Sequence, residues 1–497
     1  MLKTLILNTV SQYFLKILLL VLSFYTVPLF IKFAGYQNYG IYLLVQSIAG
    51  SLAVLNLGFP KGSAKFIAQF NALEDYDKLN RIINNNFVYY FIIGLVISIL
   101  LWSTSIFQLD HWFDIKAQQR STFYSLFTFA GVWTLIYWPA TVSSNVLIGL
   151  QKILLDNTIS ALSQLLGFIG AIILLKMGKG VVEVFIVQNS FILIGLIIKF
   201  IIIKNTLPSY KFSPRLDKDI FKLIFAYSGW VALTSIAGIL LFNLDNIIIG
   251  AVLSVQLISV YKILNTPFRG IGTLIGTFNS AIMPYISHKN AVQNESVIND
   301  FIYNGSKLFN SINALISISA FFFVKPFLYL WVGDEYKEYY WIAQLLCLFQ
   351  IVWKSNSFLM QIFHGIGKIK IISIITIVFA ILNVPIGYFG ANYFGLEGTV
   401  YATIIVALAI LPFQYMYAFP VINVDKLKYL KGSILKAFLP FVGYALALYL
   451  LRDYLYAIDS WLSLFGHSTI IGSIGMLIVA ISNRRLTIRI IKKIKKT

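Results

Sequence analysis

Apolar residues fall along this chain in runs of about 20. Each run is long enough for a helix to cross the roughly 30 Å hydrocarbon core of a bilayer at about 1.5 Å per residue. The runs lie near residues 9–31, 39–58, 83–106, 121–150, 154–175 and 182–198. They resume near 223–250, 257–285, 308–328, 340–364, 371–389 and 397–417, and end with 437–456 and 462–482. The pattern predicts an all-α polytopic membrane protein with about fourteen transmembrane helices. The longest polar stretches are 59–82, 199–222, 286–307, 418–436 and the tail from 483. None reaches the ~50 residues of an independent domain, so an enzyme built on a large extramembrane domain is disfavoured. Asn8, Ser11, Gln12 and Lys16 interrupt the first run, and no small-residue cleavage site follows near Pro28. It is expected to be a retained first helix and not a cleaved signal.

Composition sharpens this picture. Of 497 residues 59% are hydrophobic and only 12% charged, about half the charged fraction of a soluble protein. A soluble enzyme is thereby excluded. The net charge of +20 would suggest nucleic acid in a soluble chain, but here its distribution gives it another meaning. With the N-terminus inside, 27 Lys/Arg fall on inner segments and eight on outer ones, and Lys16, Lys262, Arg269 and Lys354 fall within spans. The asymmetry is an orientation signal and a face for anionic headgroups. With an even span number it places both termini in the cytoplasm and leaves no role for nucleic acid. The tail Arg484–Lys496 alternates basic and apolar residues, as an interfacial amphipathic helix does.

Little in the chain points to catalysis. The single cysteine, Cys347, precludes an internal disulfide. His111, His288, His364 and His467 lack metal-ligand spacing, so no metal or cofactor is expected. Gly365-x-Gly367-Lys368 has the wrong spacing for a phosphate loop. Energy would come from an ion gradient or from removal of substrate on the far side.

The chain also reads as a duplication. Tyr42 and Tyr261, each following an outer loop, are 219 residues apart, as are Trp112 and Trp331. The turn Gly149–Lys152 recurs as Gly365–Lys368. The glycines Gly178 and Gly180 before the sixth run match Gly395 and Gly398 before the twelfth. Two pseudo-symmetric six-helix lobes are expected, at 1–205 and 206–420, followed by two extra helices and a basic tail at 421–497. Lobes of even span number are related by an axis along the membrane normal, with a cleft between them, which is transporter architecture.

Several stretches resemble the polysaccharide repeat-unit (Wzx-type) flippases of the superfamily that also holds multidrug exporters and the lipid II flippase. They are Asn8–Ser11, Pro28–Gly40 (PLFIKFAGYQNYG), Leu55–Ala68 (LNLGFPKGSAKFIA), Gly149–Asn157 (GLQKILLDN), Asp245–Tyr261 (DNIIIGAVLSVQLISVY), Pro284 and Pro326–Tyr336 (PFLYLWVGDEY). The resemblance covers about the first 415 residues. It implies a V-shaped helical bundle that works by alternating access. It also implies transfer of undecaprenyl-pyrophosphate-linked oligosaccharide from the cytoplasmic to the periplasmic leaflet. The pathways served would be O-antigen and lipopolysaccharide, capsule or exopolysaccharide, with a polymerase and a chain-length regulator as possible partners. Basic residues within the spans are few for such a protein.

Ionisable residues inside spans are costly and usually face a cavity or a partner. Arg269, near the middle of its span, is the leading candidate for a cleft cation, followed by Lys16, Lys354 and Lys262. Asp245 and Lys262 sit at similar depth on consecutive helices and are expected to pair or to lie within reach of each other. The resemblance gives cleft-lining positions to Lys16, Asp245 and Arg269. The cations would hold phosphate or acidic sugars. Asn8, Gln46 and Asn279 are candidate polar groups of the cleft, against the simpler reading of helix-to-helix hydrogen bonds. Trp133, Trp138, Trp230 and Trp353 are expected to be core packing. A multidrug exporter would want acidic cleft residues, of which only Asp245 stands out. A polymerase would want a long outer loop, and 107–120 and 325–339 are too short. A lipid II flippase would share fold, span number and carrier lipid.

Overall fold

The computed structural model describes residues 2–484 apart from 57, 208–209, 280–281, 283–285, 287–298, 367 and 369. Asn8, Lys16, Trp230 and Asn279 lie outside the described side chains, and Pro284, His288 and most of the basic tail outside the described residues. Every regular element among those described is a helix. Among the described residues nine helices are long and apolar enough to cross a membrane. Two of them, Leu2–Leu52 (α1) and Lys370–Val421, each carry two predicted spans. Both are broken at a glycine, Gly35 (φ 78°, ψ 160°) and Gly395 (φ 62°, ψ −143°). These backbone angles are closed to residues with a Cβ. The remaining predicted spans are Lys218–Phe242 continued by Leu244–Val252, then Val255–Asn279 and Tyr340–Ile366.

The chain divides into two compact units, Met1–Tyr261 with Thr376–Thr403, and Lys262–Ile375 with Ile404–Thr497. Packing draws these units. The lobes at 1–205 and 206–420 rest on repeat spacing and remain a proposal.

The first unit holds α1, Phe59–Ala72 (α2), Tyr76–Ile106 (α3), Leu109–Trp112 (α4), Arg120–Ala140 (α5), Val142–Gly149 (α6), Ile153–Lys176 (α7), Val181–Thr206 (α8), Lys218–Phe242 (α9) and Leu244–Val252 (α10). Glycines let its helices meet backbone to backbone, the usual means of close packing in a bilayer. A Cβ at Gly94 of α3 would lie 2.9 Å from the Thr134 carbonyl of α5, and one at Gly195 of α8 would lie 2.0 Å from Ser163 Oγ of α7. The second contact locks α7 against α8 one turn before Lys199.

After α8 the chain is strapped to the start of α3 by a ladder of asparagines. Asn80 Oδ1 accepts from the Lys211 N–H, and Asn84 donates to the Lys211 carbonyl and accepts from the Ser213 N–H. Asn85 accepts from the Asp217 N–H. Asp217 in turn receives Arg81 at 2.6 Å and caps the start of α9 through the N–H groups of Asp219 and Ile220. Burial raises the Asp217 pKa, but the Arg81 hydrogen bond and charge and the capping N–H groups outweigh it, leaving the carboxyl below its ordinary 3.8.

The second unit holds most of Val255–Asn279 (α11), then Ser306–Val332 (α12), Tyr340–Ile366 (α13), the ends of Lys370–Val421 (α14), Lys436–Leu450 (α15) and Trp461–Ser482 (α16). It has two cores. One joins Ile275, Phe309, Phe358, Phe363, Phe419 and Tyr429. The other packs the last two helices onto α12 through Leu315, Phe322, Phe441, Tyr444, Leu464 and Ile471. Tyr444 also shares a 2.7 Å hydrogen bond with Ser319 of α12.

Candidate functional site

A cavity of about 780 Å³ opens among α1, α5, α6, α7 and α8 of the first unit. Its volume falls in the ~300–1,000 Å³ range of small-molecule sites. Trp133, Tyr137, Trp138 and Phe185 form an aromatic wall, with the Trp133 and Tyr137 ring centroids 5.0 Å apart. Amides supply the polar wall: Gln46 from α1, Asn145 from α6, Gln164 from α7 and Asn189 from α8.

At one end sits a buried ion pair. Lys199 Nζ lies 2.6 Å from Asp156 Oδ1 and donates to Ser160 Oγ at 2.7 Å and to Ser144 Oγ at 2.9 Å. Asp156 and Ser160 are four residues apart on α7 and so share a face. Ser144 arrives from α6 and Lys199 from α8. An ammonium has three N–H donors, and these three acceptors use all of them. Lys199 is 2% exposed and Asp156 7%, so each neutralises the other in a dry setting.

The amide orientations are fixed by their partners. Tyr42 donates to Gln188 Oε1 at 2.5 Å, so its hydroxyl accepts from Gln46 Nε2 at 2.8 Å. Gln164 and Asn189 each donate to a backbone carbonyl, those of Ser160 and Phe185. Among the described residues the side-chain carbonyl oxygens of Gln46, Gln164 and Asn189 accept no hydrogen bond. In these cavity-lining residues the oxygens remain as acceptors, and each amide keeps a second N–H.

Of the residues singled out from sequence, Gln46 belongs to this cavity. Asp245 lies elsewhere in the first unit, 3% exposed, where it accepts from Tyr261 Oη at 2.5 Å and Thr403 Oγ1 at 3.5 Å. Its expected partner, Lys262, belongs to the second unit. Asn8, Lys16 and Asn279 fall outside the described side chains.

Lys262, Arg269 and Lys354 gather in the second unit. Lys262 and Arg269 are seven residues apart on α11 and project from one face. Lys262 is half-buried and Arg269 exposed. Lys354 of α13 lies over the next turns of α11: a Cβ at Gly272 would be 3.4 Å from its Nζ, and one at Gly276 3.8 Å. Gln350, one turn earlier on α13, donates to the Phe268 carbonyl at 2.6 Å and ties the two helices at this level. Among the described residues neither Lys262 nor Lys354 forms an ion pair.

The first-unit cavity was not foreseen. The sixth apolar run ends at residue 198, which put Lys199 on an inner polar segment, whereas α8 continues to Thr206 and buries it. Asp156 stands at the edge of its run. The spacing of Asp156 and Ser160 on one helical face was the available signal. Trp133, expected in the core, is half-exposed on the cavity wall.

Many helices long and apolar enough to cross a membrane, with a polar cavity in one unit and a cationic stripe in the other, define a polytopic all-helical membrane fold. The structure is similar to that of "Lipid II flippase MurJ, inward closed conformation", with a TM-score of 0.67, 16% identity and coverage of 97% of this chain and 99% of that one. An inward-facing multidrug resistance MATE family transporter of the MOP superfamily matches at TM-score 0.59 and 17% identity, covering 81% and 98% of the two chains. The eukaryotic MATE transporter AtDTX14 matches at 0.56 and 14%, covering 82% and 93%. The model of the polysaccharide biosynthesis protein family matches residues 1–289, more than half the chain, so the chain belongs to that family. No curated protein matches it in sequence.

Proposed function

We propose that this protein is a flippase that moves undecaprenyl-pyrophosphate-linked oligosaccharide repeat units from the cytoplasmic to the periplasmic leaflet of a bacterial inner membrane, and is not an enzyme. The observation that carries this reading is a cavity large enough for sugars, lined by amides and aromatic faces, enclosed by membrane helices of a polysaccharide biosynthesis protein. Sugars are recognised by such a lining, because hydroxyls pair with amides and the apolar faces of pyranose rings stack on indole and phenol. The cations Arg269, Lys262 and Lys354 offer a second chemistry suited to a pyrophosphate. The guanidinium of Arg269 stays charged and can hold two phosphate oxygens at once. Lys16 belongs to the same proposal.

Alternating access powered by an ion gradient fits a chain without a phosphate loop, with both termini cytoplasmic as the basic asymmetry suggests. Product would pass to O-antigen, lipopolysaccharide, capsule or exopolysaccharide assembly, with a polymerase and chain-length regulator downstream. The fold-level likeness to MurJ favours lipid II as the second reading.

The test is a deletion strain in which lipid-linked repeat units are followed by leaflet. Repeat units should accumulate on the cytoplasmic side and surface polysaccharide should disappear, both restored by the gene. Wild-type transfer of repeat units in the deletion strain would refute the reading. Restoration of peptidoglycan synthesis in cells depleted of their lipid II flippase would favour the second.

A further inference from the structure

We infer that the first-unit cavity is a subsite for an uncharged, hydroxyl-rich hexose and discriminates against acidic sugars; this rests on the flippase reading above and specifies which part of the substrate the cavity takes. The decisive feature is the state of its cation. Among the described residues lining the cavity Lys199 is the one Lys or Arg, and its three donors are spent on Asp156, Ser160 and Ser144 at 2.6–2.9 Å. It has no N–H left for a ligand and no net charge to offer, because Asp156 cancels it. What remains for a ligand are the side-chain carbonyls of Gln46, Gln164 and Asn189 and their second N–H groups.

A hydroxyl both donates and accepts, so it satisfies this mixture. A carboxylate only accepts. An acidic sugar would lose the donor at that position, would set a negative charge against carbonyl oxygens of like partial charge, and among the described lining residues would find no unpaired cation to compensate for its desolvation. Trp133 and Tyr137 supply the flat apolar surface for a ring face. Trp133 is only partly buried and lines the cavity.

Glucose and glucuronate are a minimal pair, differing only in the oxidation state of C6. The full-length protein in lipid nanodiscs is titrated with each, and binding is followed by saturation-transfer NMR. Glucose should bind at least tenfold more tightly than glucuronate. Trp133→Ala should weaken glucose at least fivefold. Asp156→Asn removes the counter-charge and should tighten glucuronate at least tenfold while changing glucose less than threefold. Ser160→Ala frees one Lys199 donor without removing a charge and should tighten glucuronate in the same direction, which keeps the test alive if Asp156→Asn does not fold.

Equal or tighter binding of glucuronate by the unaltered protein would overturn the inference, as would glucose binding indifferent to Trp133→Ala. If neither sugar binds while leaflet transfer in cells is intact, the subsite is wrong and the flippase reading stands. If transfer does not depend on the protein, the flippase reading falls, and the two titrations still decide whether the cavity prefers a neutral hexose.

Discussion

The two units of this protein treat positive charge in opposite ways. In the first, Lys199 is buried and every N–H is satisfied by the protein itself, so the ammonium is part of the architecture. In the second, Lys262, Arg269 and Lys354 stand on and over one face of α11, Arg269 is exposed, and neither lysine forms an ion pair among the described residues. A membrane helix tolerates a cation only if it is paired, snorkels, or meets water or a ligand. The first unit pairs its buried lysine, whereas Lys262 and Lys354 of the second have no ion pair among the described residues. Charge within a span is therefore not by itself a sign of a binding site; the occupancy of its donors decides.

The largest expected effect comes from breaking the self-sufficient pair. Lys199→Ala leaves Asp156 buried and uncompensated, which typically costs about 3–5 kcal/mol. Abundance in the membrane and thermal stability in detergent should both collapse. The double variant Lys199→Ala with Asp156→Ala should recover much of the loss. A double variant as unstable as the single one would show that the pair is not a closed unit.

Arg269→Ala should do the reverse. Protein abundance should stay normal while surface polysaccharide is abolished, and Arg269→Lys should retain part of it, because the charge survives but the fork is lost. Normal polysaccharide from a well-expressed alanine variant would remove Arg269 from any substrate role. A milder version of the same contrast is expected at Lys354. Lys354→Gln should lower transport several-fold without lowering stability, as measured by the same polysaccharide and thermal assays.

The smallest effect concerns the strap at the start of α9. The Asp217 carboxyl titrates below its ordinary 3.8 because of Arg81 and the capping N–H groups. A depressed acid contributes stability that is fully present above the unfolded value and is lost as pH falls through the folded one. The protection of amides at 211–217, taken relative to their intrinsic exchange rates, should therefore be flat across neutral pH and fall only in acid below about 3.8. Arg81 is well exposed and the pair is screened by salt, so the gain is modest. Arg81→Gln should abolish the acid step and leave the Asn80, Asn84 and Asn85 contacts in place. An unchanged acid step would assign it to another group.

The sequence made the helical architecture readable because hydropathy is a sum over some 20 residues and tolerates errors of several at each end. The cavity was not readable for the opposite reason. It depends on register: Ser144, Asp156, Ser160 and Lys199 come from three helices, and moving Lys199 by one position would turn it about 100° away from the others. An apolar run that stops at 198 gives no hint that α8 continues for two more turns. Arg269 was legible as a costly residue in mid-span, but what it meets was not. The donors that satisfy Asp245, Tyr261 and Thr403, are 16 and 158 residues away in the chain.

The break at Gly395 has a consequence for heredity. A Cβ at Gly390 would lie 2.5 Å from the Gly398 carbonyl oxygen, and one at Gly398 would lie 1.9 Å from that of Gly390. Gly395 itself sits at φ 62°. Every glycine codon begins with two guanines, and any missense change in it installs a Cβ. At these three codons, then, the genetic code offers no conservative missense exchange: silent third-base changes remain, and each amino-acid replacement either forces the backbone apart, at 390 and 398, or puts a Cβ on a left-handed backbone, at 395. Natural variation at 390, 395 and 398 should be synonymous almost throughout, a record visible in gene sequences without any assay.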